Sequence, residues 1–86
     1  MITITDFYTN RCMPCKQLAP ILEEISNERD DINLVKIDCD ENMELAVENG
    51  VRSVPYLIIK SETSDPIKIQ GFRTKDDLLD IIDSIE

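Results

Sequence analysis

The chain contains no histidine among its 86 residues. This absence excludes mechanisms in which an imidazole is the general base, including the Ser-His and Cys-His nucleophile pairs. It also excludes zinc sites that use imidazole ligands. Any chemistry must therefore come from cysteine, carboxylate or lysine side chains, or from the backbone.

The sequence also lacks a long apolar run and an excess of positive charge. No apolar segment approaches the roughly 20 residues that a membrane-spanning helix needs. The first residues, MITITDFYTN, carry neither a basic region nor an apolar h-region, so we expect no secretory signal and a cytoplasmic location. With a net charge of −9, the chain is expected to bind neither nucleic acid nor an anionic membrane, because phosphate groups would repel it.

The composition is typical of one small globular domain. Hydrophobic residues make up 42% of the chain and charged residues 31%. The length predicts a single domain over residues 1–86, and the sequence has no internal repeat, linker or low-complexity segment. At this size, folding hides about 60 to 65% of the surface of the unfolded chain, which is sufficient for a core.

Hydrophobic periodicity predicts four strands and three helices in the order β-α-β-α-β-β-α. The predicted strands are 1–9, 32–39, 56–60 and 66–70. The predicted helices are 14–28, a short helix over 41–50, and a last helix that opens at Thr74. Pro14 suits the first turn of the first helix, and Pro20 is expected to kink that helix. The first half is predicted to be a parallel unit with a crossover helix, and the second a hairpin closed by a helix.

Sequence signals also mark the ends of the two later helices. In the short helix, Met43 and Val47 lie on one face, and Gly50 is the predicted stop. In the last helix, Thr74 and Asp77 have the spacing of a capping box.

Two of the three cysteines, Cys12 and Cys15, lie in the stretch DFYTNRCMPCKQLAP, after a predicted strand and at the start of a predicted helix. The N–H groups and the positive dipole end of a helix stabilise a thiolate at the first cysteine. Cys15 lies one turn further on, where it can attack and close a small disulfide ring. Pro14 rigidifies the turn between them.

Three other interpretations of the pair compete with a redox role. A structural disulfide is disfavoured in a chain without a secretory signal, because cytosolic thiols are kept reduced. A zinc site needs two more ligands, and only Cys39 and carboxylates remain. Chance placement is disfavoured by the strand before the pair and the helix after it. A Cys-x-x-Cys pair beside a βαβ pattern is typical of a redox motif, which we therefore predict.

The same stretch resembles the thioredoxin family, and the resemblance covers nearly the whole chain. The matching residues around the pair are Asp6, Phe7, Cys12, Pro14, Cys15, Lys16 and Pro20. The segments VKIDCDEN, GVRSVPYLIIK and GFRTKDDLL also have counterparts in the family. The resemblance implies a thioredoxin-like α/β fold, with a four-stranded mixed sheet of order 2-1-3-4 flanked by three helices.

The sequence departs from the family pattern in two ways. Arg11 and Met13 stand where the family usually has tryptophan and glycine, and the family's first strand and helix have no counterpart here. Short redoxins of the glutaredoxin type also begin at this strand, and hydrogen donors of ribonucleotide reductase often carry GFR near this point. The predicted architecture therefore lies between thioredoxin and glutaredoxin.

By this resemblance, Asp6 is a buried aspartate beside the redox pair. A desolvated carboxyl has a raised pKa and can take the proton of the Cys15 thiol. The alternative is a solvated carboxylate at a strand end. Lys36 resembles the lysine that pairs with this aspartate in the family, and the alternative is an ordinary surface lysine.

Pro55 resembles the cis proline of the family. In that geometry the Val54 backbone lies beside Cys12, where an extended substrate chain can pair with it. The alternative is a trans proline that begins an edge strand. The other predicted substrate-contacting residues are Met13, Ser53, Gly71 and Phe72. Phe72 and Tyr56 alternatively only pack against the rest of the chain.

Arg11 and Cys39 each have two candidate roles in the same region. Arg11 places a permanent positive charge next to Cys12, which favours the thiolate, unless solvent screens an exposed loop arginine. Cys39, at the end of the second predicted strand, is either a third reactive thiol or a small buried hydrophobe.

These features predict a protein-disulfide reductase, a thioredoxin-type electron carrier. Cys12 attacks a disulfide of a partner protein, and Cys15 resolves the mixed disulfide. We expect a monomer with no cofactor or metal beyond the redox-active disulfide, and the resemblance implies a thioredoxin reductase as electron donor. The alternatives are a glutaredoxin-like donor for ribonucleotide reductase, reduced by glutathione, and a non-catalytic binding module with the same fold.

Overall fold

The computed structural model describes residues 1–85. Within that range the chain forms four strands and three helices in the predicted order. They are β1 (Ile2–Tyr8), α1 (Met13–Glu28), β2 (Ile32–Asp38), α2 (Met43–Glu48), β3 (Tyr56–Lys60), β4 (Ile67–Gln70) and α3 (Lys75–Ile85). The ends differ from the predicted ones by at most two residues. Glu86, the last residue of the predicted domain, lies outside the described residues.

The four strands form one mixed sheet in the order β2-β1-β3-β4. β1 pairs in parallel with β2 and antiparallel with β3, and β3 and β4 form an antiparallel hairpin. A parallel pair needs a long crossover connection, which α1 supplies between β1 and β2. The predicted sheet order and the two predicted halves are therefore confirmed.

One face of the sheet forms the core, and β1 places Asp6 on that face. Ile2 and Ile4 are fully buried in the core cluster, and Asp6 continues their row because side chains on a strand alternate between faces. The helices contribute fully buried aliphatic side chains to the same cluster, namely Leu18, Leu22 and Ile25 from α1 and Leu78 and Ile82 from α3. A carboxylate therefore stands at the end of an otherwise apolar row.

The opposite face of the sheet is more polar and more exposed. β1 presents Thr3 and Thr5 on that side, where Lys60 and Val35 are among their cross-strand neighbours. Both threonines are half-buried, and both of these neighbours are exposed. A sheet with antiparallel pairs can leave one face to water, so the apolar interior lies on the side of α1 and α3.

The helices follow their sequence signals, with one difference in α2. Pro20 lies inside α1, which runs continuously over 13–28, and the predicted kink there stays a prediction. Gly50 ends α2 with a φ of 74°, a left-handed conformation that glycine adopts readily. Met43 and Val47 share a face, but their exposed fractions are 70% and 75%, and Ala46 is the buried residue of α2. None of the helices within the described range is long and apolar enough to cross a membrane.

The start of α3 is capped as the sequence predicts. The Thr74 hydroxyl accepts a hydrogen bond from the Asp77 amide at 3.2 Å, and the Thr74 carbonyl accepts one from the Leu78 amide at 3.0 Å. The side chain thus satisfies one of the amide groups that a helix start leaves without an intrahelical partner.

We expect Thr74→Ala to lower the free energy of unfolding by about 1 kcal/mol, because it removes this capping bond. Urea denaturation monitored by circular dichroism measures the change. Thr63→Ala, in the exposed turn between β3 and β4, is the matched control and is expected to change stability by less than about 0.5 kcal/mol. Equal losses in the two variants would show that the cap contributes nothing specific.

Candidate redox site

The Cys12–Cys15 pair is built by the junction of β1 and α1. Cys12 is the N-cap of α1 with an extended backbone (φ −89°, ψ 109°), and its sulfur accepts a hydrogen bond from the Cys15 amide at 3.1 Å. The two residues are joined by a disulfide with a Cα–Cα distance of 5.2 Å. The Cys15 side chain is 4% exposed, whereas Cys12 is partly exposed. Of the two residues, Cys12 is therefore the one accessible from solvent.

The electrostatic surroundings of Cys12 favour an ionised sulfur once the disulfide is reduced. The first turn of α1 contains no acidic residue, and its amide groups point toward the cap position. Pro14 occupies this first turn, as predicted. Arg11 and Lys16, one on each side of the pair, are both exposed, so their charges act through solvent.

Asp6 is buried close to this pair. Its exposed fraction is 1%, and among the described residues its Oδ1 atom has no hydrogen-bond partner. Burial raises the pKa of Asp6 to about 6, although the nearby charge of Lys36 lowers it in part. A carboxyl with this pKa exchanges protons near neutral pH, which is what a base acting on a thiol requires.

A small cavity of about 160 Å³ brings Asp6 and Cys15 together. Its lining residues are Asp6, Tyr8, Thr9, Asn10, Cys15, Lys16, Ala19 and Lys36. Asp6, the predicted base, and Cys15, the predicted resolving cysteine, therefore line the same cavity. Its volume is large enough for a small number of water molecules.

Lys36 lies opposite Asp6 in the parallel pairing of β1 and β2, so the predicted proximity is correct. Two interpretations of this lysine were open, an ion pair with Asp6 and an ordinary surface lysine. The geometry favours the second: the Lys36 ammonium lies 3.5 Å from a carboxylate oxygen of Glu23 on α1, and within residues 1–85 it makes no ion pair with Asp6. The reason is physical, since the half-exposed lysine reaches a solvated partner on the surface more easily than it enters the interior.

The loops on the other side of the pair bring most of the predicted substrate-contacting residues together. The Val54–Pro55 bond is cis, as predicted, and Pro55 is buried. The Gly71 amide donates to the Pro55 carbonyl at 2.8 Å, and the Gln70 side chain donates to the Ser53 hydroxyl. The segments before β3 and after β4 are thus joined at the edge where β1 ends, because Tyr56 pairs with both Phe7 and Gln70.

Side chains exposed near this edge complete the surface. Phe72 is 39% exposed and Met13 is 62% exposed, which leaves two apolar groups available for contact. Gly71 has a φ of 92°, a conformation that residues with a Cβ rarely adopt. Tyr56 contacts Phe7 edge to face, with ring centroids 6.2 Å apart, so packing is the role that its geometry supports.

Cys39 is half-buried just after β2, and its amide donates to the Tyr8 carbonyl at 2.9 Å. Burial raises the pKa of the Cys39 thiol, and the negative charges of Asp38, Asp40 and Asp6 raise it further. A thiol in such surroundings is a poor nucleophile at neutral pH. Of the two predicted roles, the geometry favours the structural one.

Two features of the site were not predicted. The first is the ion pair between Glu23 and Lys36, which depends on how α1 is rotated about its axis. The Asn10 amide donates to the Asp38 carboxylate at 3.3 Å and joins the redox loop to the end of β2. The second feature had a signal in the sequence, because two parallel strands bring their carboxyl ends to the same edge of a sheet.

A disulfide shared by one accessible and one buried sulfur at a helix N-terminus opens and closes by thiol exchange. The protein is therefore of the thiol–disulfide oxidoreductase class. The Thioredoxin family model matches residues 1–84. The thioredoxin of Listeria monocytogenes is 42% identical over 82 residues, which cover 94% of this chain and 80% of the relative. The thioredoxin of Bacillus subtilis is 38% identical over 82 residues, which cover 94% and 79%.

Solved structures agree with these relatives. A mutant thioredoxin from Halobacterium salinarum superposes with a TM-score of 0.88 at 36% identity, over 96% of this chain and 73% of that one. Chloroplastic thioredoxin z superposes with a TM-score of 0.91 at 30% identity, over 99% and 78%. The chain belongs to the thioredoxin family, whose members reduce protein disulfides with a redox-active dithiol that becomes a disulfide in the reaction. The predicted family, fold and dithiol–disulfide chemistry are confirmed.

Proposed function

We propose that this chain is a protein-disulfide reductase in which Cys12 attacks and Cys15 resolves. The observation that carries the proposal is the unequal exposure of the two sulfurs: Cys12 is partly exposed at the helix cap, and Cys15 is 4% exposed behind it. The accessible sulfur is also the one that the helix N-terminus stabilises as a thiolate.

The reaction transfers two electrons from the dithiol to the partner. The Cys12 thiolate attacks one sulfur of the partner disulfide, a mixed disulfide forms, and the other partner sulfur leaves as a thiolate that takes a proton from water. The Cys15 thiol loses its proton and attacks the Cys12 sulfur. The Cys12–Cys15 disulfide forms, and the second partner sulfur leaves, so the partner is released as a dithiol.

Asp6 is the base that takes the Cys15 proton in the second step. Its burial, its raised pKa and the cavity that it shares with Cys15 support this role. Because the cavity has room for water, the proton passes from the sulfur to the carboxylate directly or through one water molecule.

The partner binds in an extended conformation across the surface between the redox loop and the cis proline. The Val54 backbone pairs with the partner main chain, as in strand addition at the edge of a sheet. The remaining contacts come from Met13, Ser53, Gly71 and Phe72. Arg11, Pro14, Lys36 and Pro55 shape and polarise the site.

The chain works as a single monomeric domain in the cytoplasm, where a reductase of the thioredoxin reductase type returns it to the dithiol form. The family membership supports disulfide-containing proteins as substrates and a reductase as the donor. Ribonucleotide reductase is one candidate substrate, because the GFR segment at residues 71–73 resembles that of hydrogen donors of this enzyme.

We expect insulin reduction to proceed several-fold faster with thioredoxin reductase and NADPH than with glutathione and glutathione reductase. The physical reason is charge: glutathione is anionic, and a protein of net charge −9 attracts it poorly. Turbidity of the precipitating insulin B chain measures the rate with each donor at equal protein concentration.

The Cys12→Ser variant is the control for background reduction by each donor system. Raising the salt concentration should narrow the gap between the donors, since salt screens the repulsion. Faster turnover with glutathione at low salt would favour the glutaredoxin-like alternative instead.

A further inference from the structure

The Lys36 side chain forms an ion pair with Glu23 and lies close to a second carboxylate, Asp6. Its backbone lies opposite Asp6 in the β1–β2 pairing, and both side chains line the small cavity behind Cys15. Its ammonium nevertheless lies 3.5 Å from Glu23 on α1, a residue whose side chain is 57% exposed. Asp6, the other carboxylate, is left with its Oδ1 atom unpartnered by any of residues 1–85.

We propose that Glu23 is a positioning residue for the resolving step. By holding the Lys36 ammonium at the surface, it keeps that cation off Asp6 and leaves the carboxylate free to accept the proton of the resolving cysteine. This inference rests on the proposed function, in which Asp6 is the base for Cys15.

The physical argument is a competition between two carboxylates for one cation. A cation in direct contact with a carboxylate lowers its pKa by about 1 to 3 units, which weakens it as a base. Contact with Asp6 would also require Lys36 to give up water, because Asp6 is 1% exposed. Glu23 remains solvated when it binds the Lys36 ammonium, so the Glu23–Lys36 pair is favoured over contact between Lys36 and Asp6.

The competition is close enough for one substitution to change it. Lys36 is 37% exposed, and an ion pair between exposed groups is weak. If Glu23 loses its charge, Asp6 remains as the carboxylate that lines the same cavity as Lys36. Lys36 then moves toward Asp6 and lowers the pKa of that carboxyl.

Other ionisable groups also face Asp6, and they stay unchanged in this test. The cavity is also lined by Tyr8 from β1 and by Lys16 from α1. Cys15 lines it as well but is held in the disulfide in the oxidised protein, and the Cys39 thiol lies beyond β2 within electrostatic range of Asp6. From β3, the residue paired with Asp6 is Leu57, which carries no charge.

The test is the pKa of Asp6 in the oxidised protein, measured by following the ¹³C chemical shift of its carboxyl carbon against pH. We expect Glu23→Gln to lower this pKa by about one unit, because Lys36 then approaches Asp6. We expect Lys36→Met to raise it. The double variant Glu23→Gln/Lys36→Met should have the same Asp6 pKa as Lys36→Met alone, because the lysine through which Glu23 acts is absent from both.

Glu48→Gln is the matched control, because it removes one negative charge from another exposed helical position. Its effect on the Asp6 pKa should be much smaller than that of Glu23→Gln. If Glu23→Gln shifts the Asp6 pKa by the same amount in the parent protein and in the Lys36→Met variant, the proposal is overturned, because the Glu23 charge then acts directly on Asp6. An unchanged pKa in Glu23→Gln would overturn it as well.

A kinetic measurement connects the pKa to the reaction. In Glu23→Gln, the acid limb of the pH profile for the resolving step should move to lower pH by the same amount, and the rate above that limb should fall. The NMR titration requires no turnover, so it tests the Glu23–Lys36 competition separately from the proposed role of Asp6 as the base. A shifted pKa with an unshifted rate profile would remove Asp6 from the mechanism while leaving the Glu23–Lys36 competition intact.

Discussion

Replacing Cys12 by serine is expected to reduce disulfide-reductase activity to the level of the buffer control, whereas Cys15→Ser is expected to trap the partner protein on Cys12. The first variant lacks the only sulfur of the pair that a partner reaches, and a serine hydroxyl is not ionised at neutral pH. The second keeps the thiolate at the helix cap but has no thiol behind it to release the partner. Insulin reduction measures the loss, and mass spectrometry measures the trapped adduct, which dithiothreitol should release.

Cys39→Ser is the matched control for these two variants. Its thiol has a raised pKa and lies outside the redox pair, so turnover should remain within about twofold of the parent protein. Normal turnover by Cys12→Ser would show that the nucleophile is wrongly assigned. Adduct formation through Cys39 would show that the third thiol is reactive after all.

The elements around the redox pair could be predicted because local patterns agree with the tertiary structure. The alternation of Ile2, Ile4 and Asp6 with threonines defines a strand with one buried face, and it also places the carboxyl on that face. Cys12 and Cys15 follow this strand and open a helix, which is the arrangement that the structure contains.

The side of α2 that faces the protein could not be predicted in the same way. Met43 and Val47 have the spacing of a buried helical pair, yet both are largely exposed, and the smaller Ala46 faces inward. In a helix of only six residues, one pair of apolar side chains does not determine which face packs.

Contacts between side-chain ends required the structure as well. Strand pairing predicts that Lys36 lies near Asp6, but the ammonium sits at the end of a flexible stem and finds Glu23 across the α1–β2 contact. Similarly, the hydrogen bond between Gly71 and Pro55 depends on the register of the β3–β4 hairpin, which the turn sequence did not determine.

Replacing Asp6 by asparagine is expected to slow the resolving step and to stabilise the protein. An amide cannot accept the Cys15 proton, and loss of a general base typically slows a proton-dependent step by about 10² to 10⁴-fold. The first attack by Cys12 needs no base and should change little. Rapid-mixing measurements with a fluorescent disulfide substrate separate the two steps, and the difference between variant and parent should shrink above about pH 9, where the thiol ionises without help.

The stability effect follows from the pKa of the same carboxyl. In the folded protein that pKa is about 6, above the ordinary value of 3.8, so the folded state holds the proton more tightly than the unfolded state does. The stability that Asp6 contributes is therefore fully present below pH 3.8 and is lost as the pH rises through 6. The loss is about 3 kcal/mol on the scale of 1.36 kcal/mol for each pKa unit. Asparagine does not ionise, so the Asp6→Asn variant does not undergo this loss of stability.

Urea denaturation of both oxidised proteins between pH 4 and pH 8 measures this difference, and subtraction cancels the titration of the other carboxylates. The gain in Asp6→Asn should be near zero at pH 4 and should rise toward about 3 kcal/mol at pH 8. Asp40→Asn, the same chemical change at an exposed position, should show no such rise. A gain that does not depend on pH would mean that Asp6 is not the desolvated group, and its role as the base would fail with it, because both properties come from the same buried carboxylate.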